Sequence, residues 1–339
     1  MNEPKIAHLY GIDPGSSKPW AGYCCSFDLA ANQLLGPPTF RSWPRSKLAG
    51  LICEMKEKAG DESVVLVSLD VPLSSPKTLT PSSCSTSSRH YPFKVEPFTT
   101  RPCEAALRKL PRVIDNSLEN LKLVEAIGQL CNWSSPFKAG QNDPFQAMET
   151  CEGISVMIYS EAPHQPITRV FLDHAAKEIG DEFFTVSPAS KDKLESSTVY
   201  VMESHPAVSM GFWAIDGALG DSVSSVPRYK GTLKGKKYEG MSSDEKSRLL
   251  AAHLAKLIEA VDQFANRRYG MRLNSELADD DQLDSFVCLL NLLDLVTGRG
   301  DWFGTADSGY FLTPKLRLLD GDLFCELWAD AESRLGGKA

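Results

Sequence analysis

Four carboxylates stand where an apolar run stops or on the polar side of a helix. Asp13 follows the run from His8 to Ile12, Asp70 follows Val64 to Leu69, Glu203 follows Thr198 to Met202, and Asp284 closes the segment Asp279-Asp-Asp-Gln-Leu-Asp. A strand rich in Val, Ile, Leu and Tyr buries its body, so an acid at its C-terminal end is presented at the rim of a sheet. Several acids converging on one rim repel one another unless cations neutralise them, and a ligand set made only of oxygen suits Mg²⁺ or Mn²⁺. Convergence of these four groups is therefore the property that decides what the chain does.

Each acid also has an ordinary use. Gly11-Ile-Asp-Pro-Gly-Ser-Ser17 is a strand end followed by a tight Pro-Gly turn, in which Asp13 either faces solvent or reaches a cation. Asp70-Val-Pro-Leu repeats the device, and an Asp leading into a Pro-containing loop is common turn chemistry. In Glu203-Ser-His-Pro, His205 lies two residues on and shares a strand face with Glu203, where it either orients the acid, contacts a phosphate or is a plain surface histidine. Acids in a first helical turn are stabilised by the helix dipole, which accounts for Asp279, Asp280 and Asp281. It accounts poorly for Asp284, which lies beside the apolar stripe Leu283, Phe286, Val287, Leu290 and Leu293. Asp281, three residues before Asp284, shares its face and is a substitute ligand.

Positive charge is local. Arg228-Tyr-Lys-Gly-Thr-Leu-Lys-Gly-Lys-Lys237 is a Gly-containing basic loop in which Lys230 and Lys234 are candidates for phosphate contacts, weighed against a plain solvated loop. Arg101 and Arg108, on one expected helix, are candidates for the same role or partners for nearby acids.

The elements that must position these groups follow from periodicity. Strands are predicted over 6–13, 20–27 and 33–43, the last broken or edge-placed at Pro37-Pro38, then a helix over 46–59 and the very apolar strand 64–69. The Ser-, Thr- and Pro-rich stretch 74–88 reads as an exposed loop. Helical spacing over 101–110, 116–131 and 166–179 reads as a helical insertion. A strand at 198–202 resumes the core, followed by a helix over 243–268 opened by the capping box Ser242-Ser-Asp-Glu245, and another over 280–297. The expected organisation is 1–73 as the first half of a core, 74–195 as loop and insertion, and 196–339 as the second half of the core.

Composition sets the outer limits. The chain has 339 residues, 42% of them hydrophobic, enough for a substantial core, and a formal net charge of -8 that excludes nonspecific coating of nucleic acid through a global positive field. Nine cysteines without a C-x-x-C pair fit reduced thiols in a cytoplasm. Met1 to Lys5 lead straight into a strand, and no run approaches the roughly 20 apolar residues of a membrane helix, so a soluble cytoplasmic protein is expected.

Gly-Ile-Asp-Pro-Gly at 11, Leu-Asp-Val-Pro-Leu at 69, Arg101-Pro-Cys-Glu-x-x-Leu-Arg108, Glu203-Ser-His-Pro-Ala-Val-Ser and Asp280-Asp-x-x-Asp-Ser-Phe-Val-Cys follow one another in this order. Together they resemble the RNase H-like nuclease family catalogued as domain of unknown function 429, over residues 7 to about 298. The resemblance implies an α/β fold: an RNase H-like mixed sheet whose first three strands are antiparallel, flanked by helices on both faces and carrying a helical insertion. It also implies an acidic cluster of Asp13, Asp70, Glu203 and Asp284. The family's usual Asp in its Arg-x-Cys-Asp motif is Glu104 here. The implied activity is a metal-dependent nuclease, with Asp13 bridging two Mg²⁺ or Mn²⁺ ions about 3.5–4 Å apart and the other three acids completing their shells.

Two alternatives carry other expectations. An ATP-dependent phosphotransferase of the actin and sugar-kinase type starts with a similar Asp-x-Gly turn but needs a second phosphate loop, for which only Asp320-Gly-Asp322 offers itself. A non-catalytic RNase H-like interaction module would engage a protein partner through the helical insertion.

Overall fold

The computed structural model describes residues 3–15, 18–71, 73, 165–186, 189–220, 226–231, 233, 238–273, 278–305 and 309–315. The expected loop 74–88, the helices at 101–110 and 116–131 and the Asp320-Gly-Asp322 motif lie outside them. The strands are β1 (Ile6–Asp13), β2 (Trp20–Asp28), β3 (Gln33–Leu34), β4 (Thr39–Trp43), β5 (Ser63–Leu69), β6 (Phe184–Val186), β7 (Val199–Glu203), β8 (Gly300–Thr305) and β9 (Gly309–Pro314). The helices are α1 (Leu48–Lys58), α2 (Gln165–Ile179), α3 (Pro206–Ile215), α4 (Ser243–Tyr269) and α5 (Asp280–Val296). Two compact units divide the chain, Met1–Cys103 with Met157–Pro206 and Asp284–Lys315, and Glu104–Val156 with Ala207–Leu283 and Leu316–Ala339.

The first unit holds a mixed sheet in the order β3-β2-β1-β5-β7-β6, with β4 also on the outer edge of β2. β1 pairs antiparallel with β2, and β3 and β4 both pair antiparallel with β2. These two short strands are the halves of the stretch 33–43, parted where Pro37-Pro38 withholds two backbone donors. On the other side, β1–β5, β5–β7 and β6–β7 are all parallel. β8 and β9 form a separate hairpin, which reaches β7 through a parallel bridge between Ser204 and Leu312.

Strand alternation divides this sheet into two faces. On one, Tyr10, Ile12, Val65, Val67, Leu69, Val199 and Val201 form a single core with Leu51, Ile52 and Met55 of α1 and with Phe171, Leu172 and Ala175 of α2. Both helices carry their apolar residues at three- and four-residue spacing, which gives each one buried stripe. α2, expected within the insertion, thus belongs to the sheet core. The opposite face receives α5, whose Phe286 ring meets that of Tyr23 on β2 at 5.0 Å. From Leu283 to Val296 every residue of α5 is buried, as expected of a helix that is apolar on nearly all sides.

In the second unit, α4 opens with the expected capping box: Glu245 N–H donates to Ser242 Oγ at 3.2 Å and Ser242 N–H to Glu245 Oε2 at 2.7 Å. It stops at Gly270, whose φ of 66° is left-handed. Asp262 then fastens the departing chain, accepting from Leu273 N–H at 2.8 Å and Arg272 Nη1 at 2.6 Å. Trp213 of α3 packs on Phe264 of α4, ring centroids 4.6 Å apart. Among the described residues, no helix is long and apolar enough to cross a membrane.

Candidate metal centre

The parallel register of β1 and β5 sets two of the acids level. Ile12 is the partner of Leu69, and Asp70 N–H donates to Ile12 O at 3.0 Å, so Asp13 and Asp70 leave neighbouring strands side by side. Tyr10 and Ile12 point into the core with α1 and α2, as does Leu69, so the intervening Gly11, Asp13, Ser68 and Asp70 point towards α5. Two acids are thereby on one face of adjacent strands.

Gly11 brings in the third. A β-carbon at that position would overlap Leu289 N and Ser285 O of α5, so only glycine lets the helix backbone lie this close to β1. Asp284, immediately before Ser285, is carried to the strand ends by that approach. One carboxylate oxygen each from Asp13, Asp70 and Asp284 all lie within 4.8 Å of one another. Asp70 and Asp284 are buried and Asp13 is half-buried, which leaves one open side to the cluster. Two like charges about 5 Å apart repel by roughly 3 kcal/mol at a surface-like dielectric, and a divalent cation reverses that sign. A donor set of three carboxylates fits hard, oxygen-preferring Mg²⁺ or Mn²⁺.

Cys288, one helical turn after Asp284, is a member of this neighbourhood that the motif reading quoted without assigning a role. Burial pushes its thiol well up, and the charges of Asp70, Asp13 and Asp284 push it further, against a smaller opposite effect from the Ser68 hydroxyl. Both effects favour the neutral thiol. Its four-residue spacing from Asp284 was the signal in the sequence.

Glu203 is placed differently. It is the register partner of Leu69 and therefore shares the face of Leu69, Val199 and Val201, while the β7-side residue facing α5 is Ser204, whose hydroxyl accepts from Asn291 Nδ2. Glu203 is not in the group of converging oxygens. Its Oε2 accepts from Leu73 N–H at 2.7 Å, and its Oε1 lies 3.9 Å from His205 Nε2, so the two-residue spacing does bring this pair together. His205 is buried, with its ring edge-on to Phe311 at 5.3 Å, rather than a surface histidine.

Asp281 is half-buried, belongs to the second unit and is outside the converging group. Asp279 caps α5, its Oδ1 accepting from Gln282 N–H at 2.8 Å, as the first-turn reading requires. Lys230, also in the second unit, sets its ammonium 5.8 Å from the centre of the Tyr229 ring. Arg101, Arg108 and Lys234 lie outside the described residues.

No protein-family model, curated protein or solved structure matches this chain.

Proposed function

We propose that this chain is a metal-dependent hydrolase of phosphodiester bonds in nucleic acid, with Asp13, Asp70 and Asp284 holding Mg²⁺ or Mn²⁺. The observation that carries the proposal is the meeting of three carboxylates, from two adjacent strand ends and one helix, within 4.8 Å. The strand order supports the RNase H-like reading: antiparallel β2 and β3/β4 on one side of β1, parallel β5 and β7 on the other, and acids at the ends of β1 and β5.

When bound, the ions supply activation of a water and stabilisation of charge on the leaving oxygen. The chain's own residues hold and orient. Asp70 is fixed through its N–H on Ile12 O, Asp284 by a buried helix, and half-buried Asp13 is the carboxylate most open to a phosphate approaching from solvent. Because the three acids sit on elements of one compact unit, their oxygens are pre-set, and little ordering remains to be done on binding.

The test is cleavage of single-stranded, duplex and hybrid DNA and RNA by the purified protein in Mn²⁺, beside Asp13→Asn. Cleavage by the parent and none by the variant is the expected outcome. A variant that cleaves as fast as the parent sinks the assignment, and Mn²⁺ binding without cleavage of any substrate points to the interaction module instead.

A further inference from the structure

We propose, resting on the metal reading above, that Glu203 is a positioning residue and not a metal ligand: it fixes the chain that carries Asp70 by accepting the Leu73 amide. Three hydrogen bonds bracket Asp70. Leu69 O accepts from Ser204 N–H at 2.9 Å, Asp70 N–H donates to Ile12 O at 3.0 Å, and Leu73 N–H donates to Glu203 Oε2 at 2.7 Å. The first two are sheet contacts that any residue pair supplies through its backbone. The third depends on one side chain.

Glu203 is 1% exposed, and Val71 and Leu73 are equally buried in the core formed by β5, β7, α1 and α2. Val71 and Leu73 thus keep the face of Leu69, opposite the carboxylate cluster, and the Leu73 amide meets Glu203. A buried N–H must find an acceptor, and the Glu203 carboxyl oxygen is one. The other Glu203 oxygen lies beside His205. Strand alternation turns the group away from Asp70, so Glu203 offers no oxygen to an ion at Asp13, Asp70 and Asp284, and its hydrogen bond acts on the backbone that follows Asp70.

Mn²⁺ titration by calorimetry of the parent, Glu203→Gln, Glu203→Ala and Asp13→Asn tests this, together with hydrogen exchange of the Leu73 amide followed by NMR. Gln keeps an oxygen acceptor, so Glu203→Gln should bind Mn²⁺ within about threefold of the parent, while Glu203→Ala weakens binding about tenfold or more, the effect typical of losing an outer-shell partner. Asp13→Asn should abolish it. A Glu203→Gln as deficient as Asp13→Asn would make Glu203 a ligand and overturn the inference, as would a Glu203→Ala that binds like the parent. If Glu203→Ala does not fold, Glu203→Gln decides alone: slow Leu73 exchange with parent-like affinity supports the inference, and lost affinity overturns it. Failure of the parent to bind Mn²⁺ overturns the metal reading instead. The two failures are distinguishable, because Leu73 exchange must accelerate in Glu203→Ala and stay slow in Glu203→Gln whether or not an ion binds.

Discussion

Asp284 is a carboxylate with no exposure to solvent, set within 4.8 Å of two others. Without a cation, that arrangement costs stability; with one, it becomes a source of it. Asp284→Asn should therefore melt higher than the parent in chelator, by a few degrees for about 1 kcal/mol of relieved repulsion. In millimolar Mn²⁺ the order should reverse, because only the parent gains binding energy, and thermal melts with and without the ion read both outcomes. Asp13 and Asp70 were legible in the sequence because each closes an apolar run, although turn chemistry was an equally ready reading there, and Asp284 because the helix start accounts for it poorly. Glu203 gave the same local signal, but its face depends on which residue of β5 it pairs with. A one-residue change of register exchanges the faces, and no local pattern states the register between strands so far apart in the chain.

At the scale of elements, the approach of α5 to β1 depends on Gly11. Gly11→Ala forces a methyl into helix backbone, which cannot move aside as a side chain can, so about 1–3 kcal/mol of stability should be lost. Denaturant midpoints measure that loss, and Mn²⁺ affinity should fall with it as Asp284 is lifted from Asp13 and Asp70. On the other face, β1, β4 and α1 are joined at Glu54, which accepts from Tyr10 Oη at 2.9 Å and Arg41 Nη1 at 2.6 Å and lies 3.3 Å from Lys58 Nζ. Burial alone raises the Glu54 carboxyl, but the Tyr10 hydrogen bond, Arg41 and Lys58 outweigh it and hold the group below its ordinary value. A depressed folded-state value means stability that is present above the unfolded carboxyl's range and lost as pH falls through the folded one. Glu54→Gln should accordingly be less stable than the parent near pH 7, with the gap narrowing as pH falls below the ordinary carboxyl range, as urea titrations across that range would record. β1, β2, β5, α1, α4 and α5 were legible because their apolar spacing is regular and their ends carry turn or capping residues. α3 was not, since Pro-Ala-Val-Ser-Met-Gly-Phe-Trp-Ala-Ile is apolar almost throughout and has no period to read. β6, three residues long, exists only because β7 is there to pair with it.

For the whole molecule, the three acids draw on segments that open and close the same unit, Met1–Cys103 and Asp284–Lys315. An ion stabilises the elements that hold its ligands. Hydrogen exchange in Mn²⁺ should therefore slow at the amides of β1, β5 and α5 while leaving those of α4 unchanged, and uniform protection of both sets would count against a site confined to the first unit. The expected division at 73 and 195 followed changes in composition. Composition marks where a loop begins but not where a later helix docks, and α2 shows the difference: its stripe was readable, whereas its destination on the sheet was not.

That glycine seat also constrains the order in which the chain can become itself. Leu9 and Leu66, opposite each other on β1 and β5, point away from the core with α1 and α2, and both are fully buried in the finished fold. α5, which meets this face at Gly11, leaves the ribosome only after more than two hundred further residues have been made. During synthesis the sheet can close on α1 early, but the furrow along Gly11 waits for α5 to emerge. Asp284 is thus the last carboxylate of the cluster to be made, and until it emerges only Asp13 and Asp70 stand side by side.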